Sequence, residues 1–200
     1  WHAVKVTFAN EIARVCQAFG GNPAETADVF LADNQLNISP YYLRPGFAFG
    51  GSCLPKDTRG LVALARQHDV SVPMVAHLLD SNEAHIDRGV ASVMAHSPKV
   101  AGLLGCAFKE DVDDLRESPA LMVASKLLGK SVEMVAHDPA FKAGDMLALP
   151  RTEQKLAVHD LEEVAKAADV LVLMHNLPIY REIAKRSGKP LVDLTTVPVA

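Results

Sequence analysis

The chain has 200 residues and a mass of 21.5 kDa, enough for one large domain or two small ones around a buried core. Apolar residues make up 49% and charged residues 22%, which excludes a disordered chain, and the net charge of −4 argues against a broad nucleic-acid surface. No apolar run of about 18 residues exists and no signal peptide is visible, so a cytoplasmic chain with no membrane span is expected.

The chain opens at Trp1 in what already reads as mid-helix and ends at Ala200 just after an apparent strand, the pattern of a piece of a longer protein. Phe8, Ile12, Val15, Cys16 and Phe19 recur at helical steps and make one amphipathic face, ended by Gly20-Gly21. Asn22 caps a second helix, with Pro23 first and Glu25 completing a capping box, running to about Asp33. Residues 34–56 then break the periodicity with three prolines and three glycines. The stretch is too apolar for a solvated linker and too irregular for a helix, and ordered loops of this length are usually functional. Helices resume near Leu54 or Asp57 and run to about Asp69. Pro73 opens a long one whose stripe of Val75, Leu78, Leu79, Ile86, Val90, Val93 and Met94 ends at Ser97-Pro98, the expected domain boundary.

The second half alternates. Apolar runs at 100–106, 132–136, 170–174 and 191–194 read as buried strands. Ser118 caps a helix with Pro119 at its first position and Gly129 past its end; two more helical patterns cover about 160–168 and 179–187. Strands separated by helices imply a parallel sheet with right-handed crossovers. The fold class is therefore α/β, a helical unit over 1–97 followed by a Rossmann-like unit over 98–200.

Three segments could carry chemistry. In Gly50-Gly51-Ser52-Cys53-Leu54-Pro55-Lys56-Asp57 the glycines allow close backbone approach, and Pro55 puts Cys53 near a helix N-terminus. The helix dipole and Lys56 would both favour a thiolate, and Asp57 could receive a proton. Equally, Cys53 could be a small buried hydrophobe in a tight turn. Cys16 and Cys106 read as core; three distant cysteines make neither a disulfide framework nor a zinc knuckle. The loop from Tyr41 to Phe47 joins aromatics to Arg44, which suits a base, a sugar and a phosphate, or an aromatic subunit interface. Residues 108–119 follow the first strand of the α/β half, where ligands of open sheets bind. Lys109 and Arg116 could meet phosphates there, or the segment is a solvated charged loop. Gly102 and Gly105 do not make a GxGxxG, so the usual NAD fingerprint is missing. His77 and His85 read as surface or helix-packing residues, and no metal is expected.

The string RPGFAFGGSCLPKD, with KVTFANEI upstream and FKEDVDDLRESP downstream, resembles the UDP-glucose/GDP-mannose dehydrogenase family over nearly the whole chain. UDP-glucose members typically read GPGFGG where this chain has GFAFGG, so the likeness is to the GDP-mannose-oxidising branch. The resemblance implies a helical dimerisation domain and a Rossmann-like nucleotide-sugar domain, in a cytoplasmic enzyme with NAD as cofactor, GDP-mannose as substrate and a homodimer as the assembly. It implies a four-electron oxidation of the sugar C6 alcohol through a thiohemiacetal and a thioester on Cys53, with Asp57 assisting hydrolysis. By the same resemblance His2, Asn10, Tyr41, Tyr42, Arg44, Phe47, Gly50 and Lys109 contact the nucleotide sugar, Arg44 across the dimer, and Lys56 and Arg116 lie at the cofactor side. The NAD domain and its catalytic Glu are absent, Val112 stands where threonine is usual, and the chain by itself is expected not to turn over. UDP-glucose or a UDP-N-acetylhexosamine is the alternative substrate, and a non-catalytic nucleotide-binding or dimerisation remnant the alternative role. Another type of cysteine enzyme would need a histidine partner that the sequence does not nominate.

Overall fold

The computed structural model describes residues 1–34, 39 and 42–196, which leaves Tyr41 outside the described residues. Helix α1 (His2–Ala18) runs into a left-handed Gly20 at φ +74°, and α2 (Pro23–Leu31) starts on the expected cap, with Asn22 Oδ1 accepting from Ala24 N at 3.0 Å. Among the described residues no helix or strand lies between α2 and α3 (Leu54–Gln67). The long helix expected from Pro73 is broken. A single turn, α4 (Pro73–Ala76), is followed by α5 (Leu78–Met94), and His77 Nδ1 lies 2.7 Å from Pro73 O at the junction. The same carbonyl also accepts from His77 N at 3.3 Å.

The face expected to be buried on α1 is corrected. Phe8, Val15 and Phe19 are exposed, whereas Ala3, Thr7, Asn10 and Ala13 turn inward. Small side chains let α1 lie close to its neighbours, and the bulky apolar residues remain outside.

The four expected strands all form: β1 (Val100–Leu104), β2 (Glu133–His137), β5 (Val170–Leu173) and β6 (Leu191–Asp193), parallel and in the order β2-β1-β5-β6. Gly102 of the central β1 pairs with Val135 on one side and Leu171 on the other. Helices α6 (Pro119–Leu128), α7 (Leu161–Ala167) and α8 (Pro178–Ser187) form the crossovers. A β3–β4 hairpin (Met146–Ala148, Lys155–Ala157) adds to the expected strands; three-residue strands carry too little alternation to register in a sequence. One core joins the sheet to α6 and to the second half of α5, where Ile86, Val90 and Val93 pack with Leu103, Leu121 and Val172. No helix among the described residues is long and apolar enough to cross a membrane.

Candidate active site

Cys53 is exposed at the N-cap position of α3. Pro55 sets φ for the first turn and needs no donor there, so loop becomes helix directly behind the thiol. The free N–H groups of that turn bring partial positive charge to its side. Asp57 lies one turn on, its N–H bonded to Cys53 O at 2.9 Å. Cys53, Asp57 and His2 line one cleft of about 250 Å³, walled by Trp1, Leu61 and Leu78.

Lys56 pairs with Asp57, Nζ to Oδ1 3.3 Å, with both side chains more than 70% exposed. Arg116 stands near the thiol. Its pKa is raised chiefly by hydrogen bonds to Asp114 and, less strongly, by the neighbouring Cys53. The Arg116–Asp114 pair is bidentate, Nε to Oδ1 2.9 Å and Nη2 to Oδ2 2.7 Å, which holds the Asp114 carboxyl down at about 2.

The two glycines before Cys53 serve this approach. A Cβ on Gly50 would stand 2.2 Å from Glu117 O, and one on Gly51, at φ +81°, 2.9 Å from the Phe108 ring. Gly51 N also donates to Arg116 O at 3.1 Å. The close backbone approach that the glycines allow is therefore to residues 108–117, and it unites two segments that the sequence presented separately.

Beyond this seam lies a second cleft of about 560 Å³, at the C-terminal ends of β1, β5 and β6. Phe47, Lys109, Asn176, Arg181 and Thr195 line it. Lys109 Nζ stands 5.5 Å over the Phe108 ring. Asn176, in the connection from β5 to α8, and Arg181, on α8, belong to no sequence motif; their place beyond the strand ends is the signal that could have found them. Arg181 donates to Asp193 at 2.9 Å and to Asn176 at 2.6 Å.

The remaining expected residues lie on α1 and on the loop that follows α2. His2 stacks on Tyr42, ring centroids 4.4 Å apart, and Lys5 stands 5.4 Å over the same ring. Arg44 pairs with Asp28 of α2 at 3.0 Å on the exposed surface. Asn10 is 3% exposed and spends its amide on the loop backbone, donating to Phe47 O at 3.2 Å and accepting from Gly46 N at 3.1 Å.

The sheet half does not fit NAD at the usual position. In dinucleotide-binding units the pyrophosphate lies against backbone N–H groups just after the first strand. Here the N–H groups of Cys106 and Ala107 donate to Asp138 Oδ2 at 2.6 and 3.1 Å, and Asp138 is 2% exposed. The His175 ring covers Gly105, 2.5 Å from where a Cβ would be. A buried carboxylate thus fills the nest a pyrophosphate would need. Burial, and then Asp138, push the Cys106 thiol well above its ordinary pKa, so Cys106 is an inert core residue. Among the described residues no three His, Cys, Asp or Glu side chains are grouped to hold a metal ion.

Residues 1–84 match the central domain of the UDP-glucose/GDP-mannose dehydrogenase family, and residues 102–198 match its UDP binding domain. The chain is 43% identical to a GDP-mannose 6-dehydrogenase of Pseudomonas aeruginosa, over 97% of this chain and 47% of that protein. A crystal structure of a ternary complex of GDP-mannose dehydrogenase from the same species superposes with a TM-score of 0.68 at 42% identity, covering 97% of this chain and 47% of that one. A UDP-glucose dehydrogenase from Pyrobaculum islandicum superposes at 0.82 with 25% identity, covering 98% of this chain and 45% of that one. The chain spans about half the length of the curated relatives it matches. Its two halves match the two family domains in order, and the chain belongs to the UDP-glucose/GDP-mannose dehydrogenase family.

Proposed function

We propose that the chain is the substrate-binding, thiol-bearing portion of an NAD-dependent nucleotide-sugar 6-dehydrogenase that oxidises GDP-mannose. The observation that carries this reading is the exposed Cys53 at a helix N-terminus, sharing a cleft with Asp57 and His2 and lying in the field of Arg116. The relatives named above favour the guanosine sugar: the 43% identical protein is a GDP-mannose 6-dehydrogenase.

Oxidising a C6 alcohol to a carboxylate removes four electrons. Lys56 and Arg116 would meet the phosphates of NAD, which would supply a hydride acceptor for each of the two oxidations, one NAD per step. Once C6 is an aldehyde, Cys53 Sγ adds to it and the carbonyl oxygen takes a proton, giving a thiohemiacetal that stays bound. After the second oxidation C6 is a thioester. Water adds to it, Asp57 takes the water's proton, and the C6–S bond breaks as Asp57 passes that proton to the leaving sulfur, which returns the thiol and releases the acid. The clefts beside Cys53 and at the strand ends hold the sugar and the nucleotide respectively, with Lys109 for phosphate and Phe47 for the base. The expected contacts through Tyr41, Tyr42, Arg44 and Gly50 belong to this reading.

The exposed apolar residues Phe8, Val15, Phe19 and Val29 of α1 and α2 form the contact of a homodimer in the same reading. With NAD and GDP-mannose the intact protein is expected to release two NADH per GDP-mannuronate, and Cys53→Ser to release no acid. Turnover with UDP-glucose in preference to GDP-mannose moves the assignment to the uridine sugars. Full acid production by Cys53→Ser refutes the covalent route.

A further inference from the structure

The backbone of residues 46–49, which carries Phe47 into the larger cleft and leads to Cys53, is held by side chains of α5 as well as α1. Asn82 donates from Nδ2 to Phe49 O and accepts at Oδ1 from Phe49 N, both at 2.9 Å. It treats one loop residue as a neighbouring strand would. His85 is fully buried, with Nε2 2.8 Å from Gly46 O and Nδ1 3.0 Å from Arg14 Nη1. A guanidinium only donates, so Nδ1 accepts, and the ring proton sits on Nε2 and is donated to Gly46 O. Arg14 is tied in turn to Ser81 Oγ at 3.2 Å. The Phe47 ring then closes on α5, where a Cβ on Gly89 would stand 2.8 Å from it.

We propose that Asn82 and His85 are positioning residues of the nucleotide-sugar site, acting through the backbone of residues 46–49, with His85 held as the Nε2–H tautomer by Arg14. This rests on the dehydrogenase reading above. Neither side chain lines the cleft that holds Phe47 or the cleft that holds Cys53, so neither is a catalytic residue. They fix where Phe47 and the turn to Cys53 stand. Displacements on the order of 1 Å cost about a hundredfold in rate when reacting groups must align.

The test compares the intact wild-type protein with Asn82→Ala, His85→Ala and His85→Gln. A glutamine can donate from Nε2 to Gly46 O and accept from Arg14 at Oε1, so it reproduces both bonds. Hydrogen exchange without ligand is read at the Gly46 and Phe49 amides, with the β1 amides as internal reference. Kinetics are read with GDP-mannose. Asn82→Ala and His85→Ala are expected to speed loop exchange, and to lower kcat/KM, by at least about tenfold while β1 protection holds. His85→Gln is expected to restore both to within about threefold. Wild-type exchange and kinetics in Asn82→Ala, or a His85→Gln as impaired as His85→Ala, overturns the proposal. Should His85→Ala not fold, Asn82→Ala and His85→Gln decide it alone. Should the wild type oxidise no nucleotide sugar, the functional reading fails, while the exchange rates still confirm or refute the clamp.

Discussion

The two halves of the molecule bury different things. The sheet half closes on large side chains: Leu103, Leu104, Leu121, Leu171 and Tyr180 are all at 2% exposure or less. Helices α1 and α2 bury alanines, at positions 3, 9, 13 and 27, and leave Phe8, Val15, Phe19 and Val29 outside. The sheet buries its large side chains against its own helices and α5, whereas α1 and α2 keep theirs available. Apolar area removed from water is worth about 25 cal/mol per Å² wherever it is buried, so the helical half has more to gain from a partner. The candidate site lies at the seam, where the sheet half meets the loop held by α1 and α5.

Four changes would break or sharpen that contrast. Leu103→Ala removes a fully buried side chain from the central strand, and urea unfolding is expected to show a loss of about 4 kcal/mol. A loss below about 1 kcal/mol would mean that the sheet core is not the close-packed element described.

Acidification probes the seam. Burial first, and then the charges of Arg14 and Arg88, hold His85 down at about 4 from its ordinary 6.5, against the raising effect of its bond to Gly46 O. The folded ring stays neutral while the unfolded chain takes up a proton, so stability falls as pH drops from about 6.5 towards about 4 and is unaffected above that window. The loss is on the order of 3 kcal/mol. His85→Gln is expected to remove most of this slope, leaving the smaller share of His137, whose pKa is also lowered by burial. An unchanged slope in His85→Gln would refute the assignment.

Gly51→Ala places a Cβ against the Phe108 ring at φ +81° and is expected to cost about 2 kcal/mol in thermal unfolding. A neutral result would show that the Cys53 loop is not pressed on the sheet half. The smallest effect belongs to Phe19→Ser, which alters a residue 89% exposed. Protomer stability is expected to change by under about 0.5 kcal/mol, while self-association measured by light scattering weakens. A stability loss matching that of Leu103→Ala would erase the distinction between the halves.

Local sequence was enough for the four parallel strands, the Asn22 and Ser118 caps, and the placement of Cys53 at a helix start. Each depends on residues within a few positions of one another: runs of β-branched and leucine residues, a side-chain oxygen two or three residues before an open N–H, a proline in the first turn. The same spacing gave α1 an apolar stripe but not its direction, because a helix with alanine on one side and phenylalanine on the other can pack either way. Packing chose the alanines. Tertiary structure also decided that Arg116 stands near the thiol, that Asp138 fills the nest after β1, and that Asn82 and His85 grip residues 46–49. These pairings join residues 31 to 63 positions apart, and no local period or cap encodes which distant group a charge or an amide will meet.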